Sequence, residues 1–189
     1  MKQLILGLLL PFAMVGVASA ADFGAPVPAE PAPMVSDPFI DELRIGGFAH
    51  DPSSPESGSV DLNLEVLFAK PWGTEAEWWL PRPAIGATIN FDGRTSIGYI
   101  DARWQYNVTD WAFVEVGFGG SVNNGETDNT DPDMNALGCQ VLFHEQATVG
   151  FNVTENWRIM GTIEHSSNAG LCDFNRGLTN AGVRMGYKF

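Results

Sequence analysis

From residue 41 onward the chain alternates apolar and polar residues with a period of two, interrupted by clusters of Gly, Pro, Asn and Asp. This pattern predicts strands and hairpins rather than helices. In "SVDLNLEVLF", Val60, Leu62, Leu64, Val66 and Phe68 share one face, and Asp61, Asn63 and Glu65 share the other. "AIGATINF" repeats the pattern, with Ile85, Ala87, Ile89 and Phe91 opposing Gly86, Thr88 and Asn90. "GYIDARWQY" sets Ile100, Ala102, Trp104 and Tyr106 against Asp101, Arg103 and Gln105, and "WAFVEVGFGGSV" sets Val114, Val116, Phe118 and Val122 against Glu115 and Ser121. A longer run, "LGCQVLFHEQATVGFNV", is apolar at its odd positions from Leu137 to Val153 except at Glu145, and reads as one strand. With "ELRIGGFAH" before these segments and "WRIMGTIEHSSNAG" and "LTNAGVRMGYKF" after them, eight strands are expected.

A soluble sandwich also alternates, but its outward faces usually carry many Lys, Glu and Arg. Here the polar faces are small and uncharged, or combine Asp and Glu with Arg, as the interior of a small barrel requires. Strand length matches a tilted membrane span. Trp72, Trp78, Trp79, Trp104, Trp111 and Trp157 fall near strand ends, where an aromatic girdle would lie. The fold expected is all-β, an eight-stranded antiparallel outer-membrane β-barrel over residues 41–189.

The start of the chain reads differently. Residues 1–20 combine Lys2, an apolar core and Ala18-Ser19-Ala20, the pattern of a cleaved signal peptide. Residues 21–40, rich in Pro and Ala, lack any period and read as an extended N-terminal tail. Removing the leader takes one lysine from a net charge of −13, leaving −14. So acidic a chain has no basic stripe for nucleic acid. No later segment has the run of apolar residues that a membrane helix needs.

With both termini in the periplasm, the seventh strand runs outward and ends near the outer leaflet. Parity along "WRIMGTIEHSS" puts His165 and Ser167 on the lipid-facing side, and Arg158, Thr162, Glu164 and Ser166 inside. Same-face residues two apart have Cα atoms roughly 6.5 Å apart, so the imidazole can reach the hydroxyl. Two readings stand on spacing alone: a base beside a serine that it activates, or a polar pair solvated by headgroups at the barrel rim.

The stretches "HSSNAGL" and "NRGL", the ending "GYKF", and the segments "DELRIGGFAHD", "VDLNLEVLF" and "LGCQVLFHE" resemble the PagL family of outer-membrane lipid A 3-O-deacylases and related acyloxyacyl hydrolases. The resemblance spans Asp41 to Phe189. It implies an eight-stranded barrel with a membrane-facing active site, and hydrolysis of the 3-O-linked acyl ester of lipid A in lipopolysaccharide. It assigns His165 as general base, Ser167 as nucleophile, and Asn168 with the backbone at Gly170 as oxyanion stabilisers. The chain departs from the family at the third member: where a glutamate is expected in the last strand, counting forward reaches Thr179 and counting back from the terminus reaches Ala181.

Geometry suggests a substitute. If Thr154, Glu155 and Asn156 form the turn between strands six and seven, Glu145 lies directly across from His165 and faces outward with it, as a carboxylate that orients an imidazole should. Glu164 and Asn180 face inward. The same register sets Cys139 opposite Leu171, next to Cys172, so a disulfide is expected at that end, with two unpaired thiols as the alternative. His144 reads as part of an interior polar network, and His50 as a strand end beside a loop.

The acidic segment 126–133 reads as a solvated loop. Ester hydrolysis of this kind requires no metal or organic cofactor. Few basic residues are at hand for lipid phosphates; Arg94, after strand three, is one. The competing functional reading is a non-catalytic structural or adhesion barrel. The partner is membrane-embedded lipopolysaccharide, and association into a homodimer is compatible with such a barrel.

Overall fold

In a computed structural model, residues 38–70, 77 and 79–189 are described. The expected leader, all of the tail before residue 38, and Trp72 and Trp78 lie outside them. Eight strands follow one another: β1 Ile40–Ala49, β2 Val60–Phe68, β3 Arg82–Asn90, β4 Ile97–Asn107, β5 Ala112–Asn123, β6 Val141–Asn152, β7 Trp157–Ser167 and β8 Leu178–Lys188. Each pairs antiparallel with its neighbour, and β8 pairs with β1 to close the barrel. No helix among the described residues is long and apolar enough to cross a membrane.

The register fixes the tilt of the wall. A path from Ser167 steps straight across the ladders through Phe143, Gly120, Ile100, Ile85, Val66, Leu43 and Tyr187. It returns to β7 at Trp157, ten residues nearer the start of that strand. For eight strands, a stagger of ten residues corresponds to a tilt of about 40°. This path therefore descends from the loop end of the wall toward the end that holds the termini.

Alternation sorts side chains as the sequence predicts. Outward positions such as Ile45, Ile100, Val116, Phe118, Ile159 and Val183 are exposed, whereas Arg44, Glu65, Arg103, Glu115, His144 and Arg184 are buried inside. Arg44 donates to Glu115 at 2.6 Å, Glu42 at 2.9 Å and Glu65 at 3.1 Å. Arg103 donates to Glu65 and lies 2.7 Å from Asp101, and Arg158 reaches Glu42 at 2.9 Å. His144 joins this network as expected, 2.8 Å from Asp101 and stacked on Tyr99. Removing either partner of such a pair leaves a buried charge with no compensation.

Small residues make room for the large ones. A Cβ at Gly117 would meet the Arg103 guanidinium at 1.8 Å, and one at Gly150 would meet the Phe113 ring at 2.1 Å. Among the described residues, buried ion-paired side chains occupy the interior.

The long apolar run does not form one strand. β6 begins at Val141, and Leu137 sits in the preceding loop, fully buried against Ile97, Tyr99, Leu142 and Leu178. Gly138, at φ 78°, breaks the extended chain, and a Cβ there would strike the Phe174 carbonyl oxygen. Leu137 thus closes the mouth of the barrel instead of decorating its wall.

Polar contacts lock this closure from above. His50, expected only to end a strand, is buried between Asp61 at 2.8 Å and Glu56 at 2.9 Å. Glu56 accepts from the Thr95 amide and hydroxyl and from the Asn135 amide at 2.8 to 2.9 Å, so one carboxylate ties together the loops 50–59, 91–96 and 124–140. Burial alone would lower the His50 pKa, but hydrogen bonds and charge from Asp61 and Glu56 raise it to about 9. Burial would raise the Glu56 pKa, yet the His50 bond and the Thr95 and Asn135 donors lower it to about 2.

Two predictions follow from this clasp. Glu56→Ala strands the His50–Asp61 pair and three donors, and lowers unfolding stability in detergent by roughly 3 kcal/mol, read from a denaturant titration. The pH dependence has two limbs. The His50 contribution is fully present below pH 6.5 and is lost as pH rises through about 9. The Glu56 contribution is present above pH 4.5 and is lost as pH falls through about 2. Exchange protection of the Thr95 and Asn135 amides should therefore be greatest between those two inner limits.

Candidate active site

β7 ends at the loop end of the wall with His165, Ser166 and Ser167. Ser166 turns inward to within 3.2 Å of the Ser121 hydroxyl, while His165 and Ser167 share the outer face and are half-buried. The pair thus stands on the lipid-facing side, where its parity puts it.

Two ladders flank the histidine. In one, Glu145 is the residue directly opposite His165, so the register inferred from the 154–156 turn is the one observed. Glu145 is exposed on the same outer face. In the other, the opposite residue is Thr179, and the imidazole commits to it: Nδ1 lies 2.8 Å from Thr179 Oγ1. Among the described residues no hydrogen bond or ion pair joins His165 to Glu145. Thr179, the position that the forward count reached for the family glutamate, is thus the hydrogen-bonding partner of the ring, whereas Ala181, reached by the backward count, has no polar side chain.

Gly177 forms the other wall of the imidazole. Its φ is 75°, and a Cβ there would meet His165 Cε1 at 2.8 Å and Nε2 at 3.4 Å. Sequence reasoning gave this residue no role, although "NRGL" was among the stretches carrying the family resemblance.

The turn after Ser167 is organised by Asn168, whose side chain is buried. Its Nδ2 donates to the carbonyls of Leu137 at 2.8 Å and Phe174 at 2.5 Å, and its Oδ1 accepts from the Gly170 amide at 2.8 Å. The Asn168 backbone amide donates to Asn175 Oδ1 at 2.9 Å. Ala169 and Gly170 take up φ values of 54° and 80°, a left-handed pair that folds the chain back sharply. Asn168 and Gly170, expected as oxyanion stabilisers, are thus brought together beside Ser167, with their donors engaged inside the turn.

Cys139 and Cys172 are bonded, with Cα atoms 6.2 Å apart, so the loop 168–177 is tied to the entry of β6. Arg94 donates to the Asp133 carbonyl at 2.7 Å and braces the acidic loop at the rim. Among the described residues no group of three or more His, Cys, Asp or Glu is arranged to hold a metal ion.

The arrangement resembles known proteins in both sequence and shape. The family model for lipid A 3-O-deacylase (PagL) matches residues 56–188. Among proteins with curated descriptions, none matches this chain. The crystal structure of the outer membrane enzyme PagL superposes with a TM-score of 0.54 at 15% identity, covering 79% of this chain and 99% of that one. The N-terminal β-barrel domain of Pseudomonas aeruginosa OprF superposes with a TM-score of 0.54 at 13% identity, covering 82% and 100%. A de novo designed transmembrane β-barrel gives 0.52 at 15% identity, covering 82% and 98%. At such identities the structural likenesses speak for the fold, which an enzyme, a domain of a larger protein and a designed barrel share. The family model matches well over half of the chain, and on that ground the chain belongs to the lipid A 3-O-deacylase (PagL) family, as an ester hydrolase integral to the outer membrane.

Proposed function

We propose that this protein removes the 3-O-linked acyl chain of lipid A, with Ser167 as nucleophile and His165 as general base. The observation that carries this reading is the outward pair at the loop end of β7, with the imidazole held through Nδ1 by Thr179. Thr179 occupies Nδ1, and among the described residues no protein group bonds to Nε2, the nitrogen assigned here to serve the serine. Nε2 takes the proton as Ser167 Oγ attacks the ester carbonyl. The tetrahedral intermediate collapses as the imidazolium returns that proton to the leaving sugar oxygen. Water, deprotonated by the same nitrogen, then attacks the acyl-enzyme and releases the fatty acid.

The task of a triad acid is divided in this proposal. Thr179 accepts a hydrogen bond from Nδ1–H and holds the plane of the ring. Glu145, across the other ladder, supplies negative charge beside the imidazolium without a hydrogen bond to it. The 168–170 turn carries the oxyanion donors: the Asn168 amide and the Gly170 N–H lie beside the nucleophile, and the developing charge competes for them with their internal acceptors.

Mass spectrometry of lipid A incubated with the folded barrel in detergent should show loss of one hydroxyacyl group. Ser167→Ala and His165→Ala should each lower kcat by roughly 10³-fold or more. If the wild-type barrel, verified as folded, leaves lipid A and simple esters intact, the structural-barrel reading replaces this one.

The divided acid has its own signature. Thr179→Val should reduce kcat by about 10- to 100-fold with little change in KM, and Thr179→Ser should restore most of it. Thr179→Glu should hold kcat at or above the Thr179→Ser level, because a carboxylate accepts the Nδ1–H bond more strongly than a hydroxyl. Glu145→Gln should lower kcat by roughly tenfold; an unchanged kcat would remove Glu145 from the mechanism.

A further inference from the structure

A buried strip of backbone stands behind the proposed site. Asn135, Ala136 and Leu137 precede β6, and all of them are buried. Two of their carbonyls serve the segment that follows Ser167: the Leu137 oxygen accepts from Asn168 Nδ2 at 2.8 Å, and the Ala136 oxygen accepts from the Arg176 amide at 3.1 Å. The Leu137 side chain packs in the same cluster as Leu178. Each contact touches the neighbour of a residue that the chemistry needs in place. Asn168 follows the nucleophile, Arg176 precedes the Gly177 that borders the His165 ring, and Leu178 precedes the Thr179 that holds it. A shift of this strip therefore disturbs nucleophile, base and ring partner together.

A strip can position a site only if it is itself held, and the loop 50–59 does the holding. The Asn135 amide donates to Glu56 Oε1 at 2.8 Å, and Asn135 Nδ2 donates to Asp51 Oδ2 at 2.5 Å and to Ser54 Oγ at 3.4 Å. Asn135 Oδ1 is buried and has no partner among the described residues. Leaving a buried acceptor unpaired is costly, so the donor side of this amide is what the site selects. Asp51 is pinned in turn. Its φ is 30°, its amide donates to Asn180 Oδ1 on β8 at 3.1 Å, and Asn180 Nδ2 donates to Glu164 on β7 at 3.1 Å. The bonds make a circuit: from β7 and β8 through Asp51 to Asn135, and back through residues 136 and 137 to the ends of the same two strands.

Resting on the esterase reading, we propose that Asn135 is a positioning residue for the reaction, clamping the 135–137 strip to Asp51 so that Ser167, His165 and Thr179 keep their reacting geometry. Asn135 acts through the strip and contacts none of the three. Displacing a reacting group by about 1 Å costs roughly 100-fold in rate, and a strip that supports all three turns one lost hydrogen bond into such a displacement. Asparagine suits the task because it offers Asp51 a neutral donor. Aspartate of the same shape would set one carboxylate against another.

The test measures kcat and KM for p-nitrophenyl butyrate in mixed micelles, using the folded full-length protein. Asn135→Asp should lower kcat by roughly 10- to 100-fold, with KM within about twofold of wild type. Adding Asp51→Asn to that variant puts a donor opposite an acceptor again, and asparagine tolerates the positive φ at this position. For this exchanged pair kcat should return to within about threefold of wild type. Thr95→Val removes one donor from Glu56 without touching the strip, so it should lower the denaturant midpoint and leave kcat unchanged. If heat-modifiable migration shows that Asn135→Asp does not close into a barrel, Asn135→Ala removes the donor without adding charge and is judged by the same criterion. A closed Asn135 variant with kcat within about twofold of wild type overturns the positioning role. So does a folded exchanged pair with no recovery, or a Thr95→Val loss as large as that of Asn135→Asp. Each of these results leaves the esterase standing while Ser167→Ala is inactive. Full activity of Ser167→Ala overturns the esterase, and the positioning role with it.

Discussion

Hydrocarbon offers no partner for a backbone amide, so every donor and acceptor of a membrane-spanning wall must be satisfied within the protein. Closure of β8 onto β1 meets that requirement, and most other features of the molecule follow from it. A closed ladder with a two-residue period divides the side chains without remainder into an outer set, which lipid requires to be apolar, and an inner set. Eight strands leave the inner set too little space for water, so its charges must satisfy one another. Arg44 among three glutamates and Arg103 between Glu65 and Asp101 are that solution. The same closure explains why Gly117 stands beside Arg103: the guanidinium occupies the volume that a Cβ would need.

A filled interior leaves the chemistry nowhere to go but outward. The His50–Glu56 clasp and the Leu137 plug close the loop end, and the Arg–carboxylate mesh fills the shaft. Polar residues on the outer face are then costly except near the headgroups, which is where β7 ends. An ester at the boundary between sugar and acyl chain lies at the same height. The disulfide and the Asn168 bonds hold the loop beside Ser167 in shape, so the site draws its order from the rim of a rigid wall rather than from a cleft.

In the proposed site, the two ladders beside His165 take the place of a conventional triad acid. A residue on a strand inside a sheet has two opposed neighbours, one on each side, and here they are a carboxylate and a hydroxyl. Orientation and charge, normally supplied by one acid, are thereby available from different strands. Thr179 is neutral and can both donate and accept, so it constrains the ring without fixing its charge. The carboxylate across the other ladder is Glu145.

The sequence alone determined what depends on period and parity. Strand number, the outward placement of His165 and Ser167, the inward placement of His144 and Glu164, and the opposition of Glu145 to His165 all follow from a two-residue repeat and one tight turn. Tertiary structure decided what depends on three-dimensional neighbours that no repeat encodes. Leu137 continues the alternation of β6 and yet leaves the strand, because Gly138 turns the chain and the barrel mouth needs an apolar plug. His50 looked like an ordinary strand end until loops from three hairpins converged on Glu56. The choice of Thr179 over Glu145 as hydrogen-bond partner could not be read from register, because register makes both neighbours equal. It was settled by the direction of the imidazole, which Gly177 admits on one side by having no side chain.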